Sequence, residues 1–336
     1  MRILVTGGAG YVGSTTAQRL LEAGHSVTVL DSLARGYRAA VPKEARLVVG
    51  DIADVGLVEQ SLRDDAIEAV LHCAGLALVG ESVEEPRRYY AANVLGGLAL
   101  LDAMRAADVR RIVFSSSAAV YGDPIQIPIN ESHPMRPVNP YGETKRALEG
   151  SLDWYTQAYD LSAVSLRYFN VAGATEDRGE NHRPETHLIP NALAAADGGA
   201  PLKLFGTDYP TPDGTCIRDY IHVDDLADGH AAALALTGEV KAKHVACNLG
   251  SGSGFSVREV LAAAETVVGR PIPHTVGGRR AGDPPVLVAS NERARELLGW
   301  QPRRGSLAEI IGSAWQWRLT HADGDGRPAT APAAKG

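Results

Sequence analysis

Residues 3–31, ILVTGGAGYVGSTTAQRLLEAGHSVTVLD, narrow the folds open to this chain more than any other stretch. A β-branched run ends in Gly7 and the spacing Gly8-x-Gly10-x-x-Gly13, and an amphipathic run follows at once. A second apolar run then ends in Asp31, 18 residues beyond Gly13. A strand that turns tightly into a helix needs glycines at such points, and they let backbone N–H groups approach a pyrophosphate at the helix N-terminus. A carboxylate closing the second strand accepts both hydroxyls of an adenosine ribose and repels a 2′-phosphate. The segment therefore predicts a dinucleotide site that favours NAD over NADP, with Gly7, Gly10, Tyr11, Val12, Gly13 and Asp31 against the cofactor; Arg35 pulls mildly toward NADP. Asp51 and Ile52, in GDI after a third apolar run, are placed against the adenine, with core packing the alternative for Ile52.

The runs RILVT, SVTVL, RLVVG, AVLHC and RIVFSSS predict buried strands, and AQRLLEAG and NVLGGLALLDAMRAA predict helices between them. Such alternation implies a parallel sheet covered on both faces. The expected fold is α/β: a doubly wound Rossmann NAD domain over 1–173, to which segments near 220–255 return, and a smaller α/β substrate lobe over 174–318. Residues 319–336 are expected to form a disordered tail. His72, on a buried strand, is expected to be a satisfied core residue.

The balance of 33 basic against 40 acidic side chains, net −7, argues against general nucleic-acid or anionic-membrane binding. The three cysteines are far apart, and no Cys/His spacing suggests a metal, so none is expected. MRILVT carries one basic residue and no apolar run reaches a membrane span, which gives the expectation of a cytoplasmic protein.

NPYGETK places Tyr141 four residues before Lys145, on one face of a helix. A free phenol titrates at about 10 and is a poor base at neutrality. A neighbouring ammonium, and a cationic nicotinamide, lower that value. FSSSAAVYG brings Ser117 to the end of the fifth strand, at the carboxyl edge where open α/β sheets bind ligands. Ser117, Tyr141 and Lys145 are thus the candidate catalytic set.

With these pieces assembled, TGGAGYVG, SSSAAVYG and NPYGETK resemble the extended short-chain dehydrogenase/reductase family. VGESV, RYFNVAGA, HLIPNAL, FGTDYPTPDGTCIRDYIHVDDLADGH, CNLGSGSGFSV and RRAGDPP are similar to its nucleotide-sugar 4-epimerases, a match that runs to about residue 318. The resemblance implies NAD held tightly, a UDP-sugar substrate in the carboxyl-terminal lobe, and Tyr141 as base, Lys145 as its electrostatic partner and Ser117 as the matching hydroxyl. It implies Asn93 and Tyr168 beside the nicotinamide, and Cys73, Ala74 and Gly75 along the cofactor groove. It assigns Asn170, Arg218, Arg280 and Asp283 to the nucleotide-sugar, and a homodimer formed through helices of the cofactor domain. His187 stands where many family members carry an asparagine that touches the substrate.

Ala77 and Leu78 replace a lysine region near the cofactor, and Leu287 replaces a tyrosine that often bounds the sugar, leaving UDP-N-acetylhexosamines as an alternative substrate. Ala118 and Ala119 follow Ser117 where 4,6-dehydratases and decarboxylases need a carboxylate. A non-catalytic NAD-binding regulator is the alternative from another class, set against the retained Ser117, Tyr141 and Lys145.

Overall fold

The computed structural model describes residues 1–280 and 283–321. Its first half carries strands β1 (Arg2–Thr6), β2 (Ser26–Asp31), β3 (Arg46–Val49), β4 (Ala69–His72), β5 (Arg111–Ser117) and β6 (Ser162–Tyr168). Between them run helices α1 (Tyr11–Glu22), α2 (Val55–Asp64), α3 (Val79–Glu84), α4 (Pro86–Tyr89), α5 (Gly96–Ala106) and α6 (Pro140–Tyr159). Then follow β7 (Asn170–Ala172), α7 (Leu188–Ala196), β8 (Leu202–Phe205), β9 (Ile217–His222), α8 (Val223–Leu236) and β10 (His244–Leu249). The chain closes with β11 (Gly254–Ser256), α9 (Val257–Val268), β12 (His274–Gly277), β13 (Val286–Leu287), α10 (Glu292–Leu298) and α11 (Leu307–Thr320).

Seven parallel strands form the large sheet in the order β10-β6-β5-β4-β1-β2-β3. Because side chains alternate along a strand, each strand feeds two cores. Ile3, Val5, Val29, Leu71 and Val113 pack against Ala17 and Leu20 of α1 and Leu226 and Ala233 of α8. Leu4, Leu30, Val70, Ile112 and Phe114 face the other way, onto Leu62 of α2, Leu100 and Met104 of α5, and Leu148 and Leu152 of α6. The strand order reverses between β1 and β4, which opens a crevice beyond their carboxyl ends. This is the doubly wound α/β fold.

The smaller lobe has two sheets of its own, one in which β11, β13 and β7 all pair with β9, and one of β8 with β12. Its core joins Leu193 of α7, Val260 of α9 and Ile310 of α11. Of the segment expected to return to the large sheet, α8 and β10 do so, whereas β9 belongs to the smaller lobe. Helix α11 runs to Thr320, and residues 322–336, most of the expected tail, lie outside the described residues. Among the described residues no helix is long and apolar enough to cross a membrane.

Candidate functional site

The turn after β1 shows why glycine is needed and which glycines matter. Gly7 has φ +70°, and a Cβ there would stand 2.6 Å from the Ala74 backbone nitrogen; one on Gly13 would stand 2.8 Å from the Gly7 carbonyl carbon. Gly7 and Gly13 thus make the close backbone approaches of this turn, a Cβ on Gly8 would stand 2.8 Å from the Val29 side chain, and one on Gly10 would stand 3.3 Å from the Gly7 carbonyl oxygen. Gly10 caps α1 without a side chain, leaving the first N–H groups of Tyr11, Val12 and Gly13 turned to the crevice. The Tyr11 hydroxyl donates to the Gly173 carbonyl at 2.5 Å, tying this turn to the chain leaving β7.

Asp31 closes β2, its carboxylate accepting the N–H groups of Ala9 (3.0 Å) and Leu33 (2.8 Å). Arg35 is engaged elsewhere, by Glu81 at 2.6 Å and the Arg183 carbonyl at 2.9 Å, so the cation nearest Asp31 in sequence is already neutralised. Asp51 is exposed, and Ile52 is 7 % exposed and part of the core around α5. Cys73 lies 3.2 Å from the Ser115 hydroxyl, and burial pushes its thiol up to about 11. Gly75 comes close to both Asn93 and Lys145: a Cβ on it would lie 3.0 Å from the Asn93 oxygen and 3.6 Å from Nζ. Asn93 is itself fixed by Leu76 and the Thr144 hydroxyl.

The start of α6 explains the stretch Asn139-Pro140-Tyr141-Gly142 residue by residue. The Asn139 side chain accepts the Gly142 N–H at 2.8 Å, and Pro140 takes the first helical position. A Cβ on Gly142 would meet the Ala119 carbonyl carbon at 2.9 Å and Pro137 at 3.0 Å, so only glycine lets the helix rest on the backbone that follows Ser117. That contact presents the buried Tyr141 phenol to the Ser117 hydroxyl. Burial raises the phenol's pKa, and the Ser117 hydrogen bond lowers it in part. The depression expected from Lys145 is not among the causes of this shift, which desolvation dominates.

Lys145 follows one turn on, 5 % exposed, its Nζ 5.9 Å from the Tyr141 ring centroid and donating to the Ser115 carbonyl at 2.8 Å. Burial lowers its pKa to about 8. Ser117 pairs in register with Tyr168 at the end of β6, which brings Tyr168 to the same sheet edge.

In the smaller lobe Arg218 and Asp283 meet as an ion pair at 2.5 Å, and Leu287 stands beside Arg218 in the β13–β9 register. Arg218 thus pairs with Asp283, whereas its neighbour Asp219 accepts backbone N–H groups from Ser251, Gly252 and Ala289. Leu287 packs into an apolar cluster with Ala118 and Phe169, and Asn170 opens β7 beside Tyr220. The Arg280 guanidinium lies 3.9 Å from the Phe205 ring centroid. His187 Nδ1 lies 2.7 Å from carboxylate oxygens of both Glu180 and Glu185. Burial alone would lower its pKa; the charge of Glu180 beside it lifts it to about 10. His72 is a core residue, bonded to the Thr6 hydroxyl at 2.8 Å, and burial lowers its pKa to about 3.

Sequence reasoning missed the supports beneath this site. Glu149, 1 % exposed and one turn beyond Lys145, receives a bidentate bond from Arg167 of β6 and the Ser116 hydroxyl. Arg167 continues to the Tyr121 hydroxyl, which donates to Asn248 at 2.6 Å. Ser115 bonds His230 of α8 at 2.8 Å. The signal was present: a lone arginine within the apolar strand VSLRYFN demands a buried partner.

A glycine turn at the sheet's switch point, with a tyrosine, lysine and serine beyond it, defines a nucleotide-dependent enzyme of the short-chain dehydrogenase/reductase kind. The model of the NAD dependent epimerase/dehydratase family matches residues 3–250, and the chain belongs to that family. It is 51 % identical to a UDP-glucose 4-epimerase of Corynebacterium glutamicum over 97 % of both chains. It is similar to the UDP-glucose 4-epimerase of Brucella ovis in complex with NAD (45 % identity, 94 % of this chain and 97 % of that one, TM-score 0.90). It is also similar to the Bifidobacterium longum UDP-glucose 4-epimerase in complex with NAD+ and UDP (37 % identity, 96 % and 100 % covered, TM-score 0.91).

Proposed function

We propose that this protein interconverts UDP-galactose and UDP-glucose by inverting the sugar's 4-hydroxyl, with NAD as a retained cofactor. The observation that carries the reading is the buried Tyr141 at the start of α6, with Lys145 one turn behind and Ser117 at the end of β5, at the sheet edge beyond the Gly7–Gly13 turn. The residues present fit NAD: Gly7 and Gly13 keep clear a cradle that a Cβ would fill, α1 offers its N-terminus to a pyrophosphate, and Asp31 suits an unphosphorylated ribose. When bound, NAD+ supplies the hydride acceptor for C4 and then the donor that returns it.

The chain's own groups handle the proton. Tyr141 takes it from the 4-hydroxyl as the carbon is oxidised, and Ser117 holds that oxygen against the phenol. The Lys145 ammonium, its Nζ 5.9 Å from the Tyr141 ring centroid, favours the phenolate once the proton is taken. The 4-keto sugar turns, presents its other face, and recovers the proton from Tyr141. Arg218 suits the diphosphate and Asp283 the ribose hydroxyls, with Asn170 and His187 further contacts. Leu287 packing against Ala118 and Phe169 favours UDP-hexoses over the N-acetylated alternatives.

The protein acts as a homodimer through α5, α6 and the π-helical stretch Tyr90–Leu95 that leads into α5, where Tyr90, Leu95, Trp154 and Tyr159 are exposed. A sedimentation mass equal to one chain would sink that assembly. The three free thiols fit a cytoplasmic setting. The function is tested by purified protein and UDP-galactose with no NAD added: wild type forms UDP-glucose, and Tyr141→Phe retains NAD but loses turnover. Equal turnover by both would remove Tyr141 from the mechanism.

A further inference from the structure

The segment Glu180-Asn181-His182-Arg183-Pro184-Glu185-Thr186-His187 bridges the two lobes, and it gathers two imidazoles and two carboxylates that the epimerase reaction does not require together. One ligand atom from each of Glu180, His182, Glu185 and His187 lies within 4.8 Å of all the others. Both histidines turn the same nitrogen inward: Nδ1 of His182 is 3.2 Å, and Nδ1 of His187 2.7 Å, from one oxygen of Glu180. Glu185 Oε1 also lies 2.7 Å from that same Nδ1 of His187. Glu180 is the innermost member, its side chain 7 % exposed, and the two imidazole rings lie 5.2 Å apart at 47°.

We infer that Glu180, His182, Glu185 and His187 bind one divalent first-row transition ion, zinc by preference, as a structural clasp. Zinc takes four nitrogen and oxygen ligands at about 2.0–2.2 Å in a tetrahedron, which sets the ligand atoms about 3.3 Å apart. The 2.7 and 3.2 Å separations widen by up to about 0.6 Å to reach that value, and the wider ones, all within 4.8 Å, close by up to about 1.5 Å. Two carboxylates and two neutral imidazoles carry a charge of −2, matching a divalent ion, and imidazole with carboxylate selects zinc or its neighbours over calcium or magnesium. All four ligands come from the protein, so the site suits structure rather than catalysis.

What the ion would clasp is also clear. The Asn181 carbonyl accepts from the Tyr37 hydroxyl at 3.0 Å and the Arg183 carbonyl from Arg35 at 2.9 Å, both on the segment that follows Asp31. On the other side Gly179 lies against the Trp317 ring of α11, and His187 caps α7. A bound ion therefore ties the substrate lobe to the edge of the cofactor crevice and slows cofactor escape. The metal assignment does not depend on the reaction catalysed.

The test is metal content. Untagged protein is incubated with excess zinc sulfate, desalted and analysed by mass spectrometry for metal per chain, alongside His182→Ala and Glu180→Gln. About one zinc per chain in wild type, reduced at least tenfold in both variants, together with a thermal midpoint that rises on adding zinc only in wild type, supports the clasp. Folding of the variants is checked by circular dichroism, and Glu185→Gln stands in for a variant that fails to fold. Less than a tenth of an equivalent in wild type, or equal zinc in wild type and folded variants, overturns it and leaves the cluster as proton-bridged ion pairs.

Discussion

Gly142→Ala separates a catalytic helix start from an ordinary one, because the two make opposite predictions. On a helix that merely faces solvent, replacing glycine by alanine adds helix propensity worth about 1 kcal/mol. Here the new methyl would stand 2.9 Å from the Ala119 carbonyl carbon, against an ordinary carbon–carbon contact of about 3.5 Å. The start of α6 and the backbone after Ser117 must then separate by at least about 0.6 Å, and the phenol moves with the helix. Misplacing a reacting group by on the order of 1 Å costs about 100-fold in rate, and overpacking of this kind costs about 1–3 kcal/mol. The expected variant folds, still carries NAD because the Gly7–Gly13 turn is untouched, and converts UDP-galactose about 100-fold more slowly in kcat. Urea unfolding should show it less stable than wild type. A variant with wild-type kcat and raised stability would refute the claim that Gly142 sets Tyr141 against Ser117.

Two further predictions concern the buried groups beneath the site. Arg167→Met strands the Glu149 carboxylate in the core and is expected to destabilise by about 3–5 kcal/mol, while adding Glu149→Gln recovers part of the loss, as a thermal-melt double-mutant cycle can read. His72 has a folded-state pKa of about 3 against 6.5 in the unfolded chain, so below pH 6.5 the unfolded chain takes up a proton that the folded one refuses. Its stabilisation, whole above pH 6.5, falls as pH drops toward 3, by about 3 kcal/mol at pH 4.5. In His72→Gln, urea unfolding at pH 7 and 4.5 should show a fall in stability smaller by about that amount, and an identical fall would contradict it.

What could be read from the chain was whatever is local. The first five strands and the turn after β1 are continuous segments whose pattern contains its own reason, and Tyr141 and Lys145 share a helix face by spacing alone. The distinction between Gly7 and Gly8 was not legible, because it depends on Ala74, a residue on the neighbouring strand's end that only the sheet brings near. The small sheet around β9 was missed for a similar reason: β7, β11 and β13 are two or three residues long and are held by pairing, not by propensity. Glu149 reads as an exposed helical charge until β6 delivers Arg167 to it. The phenol's environment was not legible for another reason: the extent of its burial, which raises its pKa, is a property of the packed site.

The central claim is that a hydride leaves C4 of the sugar and returns to the same carbon on a cofactor that never departs. Purified protein with no added NAD is incubated with UDP-galactose deuterated at C4, and the UDP-glucose formed is analysed by mass spectrometry and proton NMR. The account predicts product that keeps its deuterium at C4 and none formed by Tyr141→Phe. Product carrying a solvent hydrogen at C4, or no product even after NAD is supplied, would contradict it.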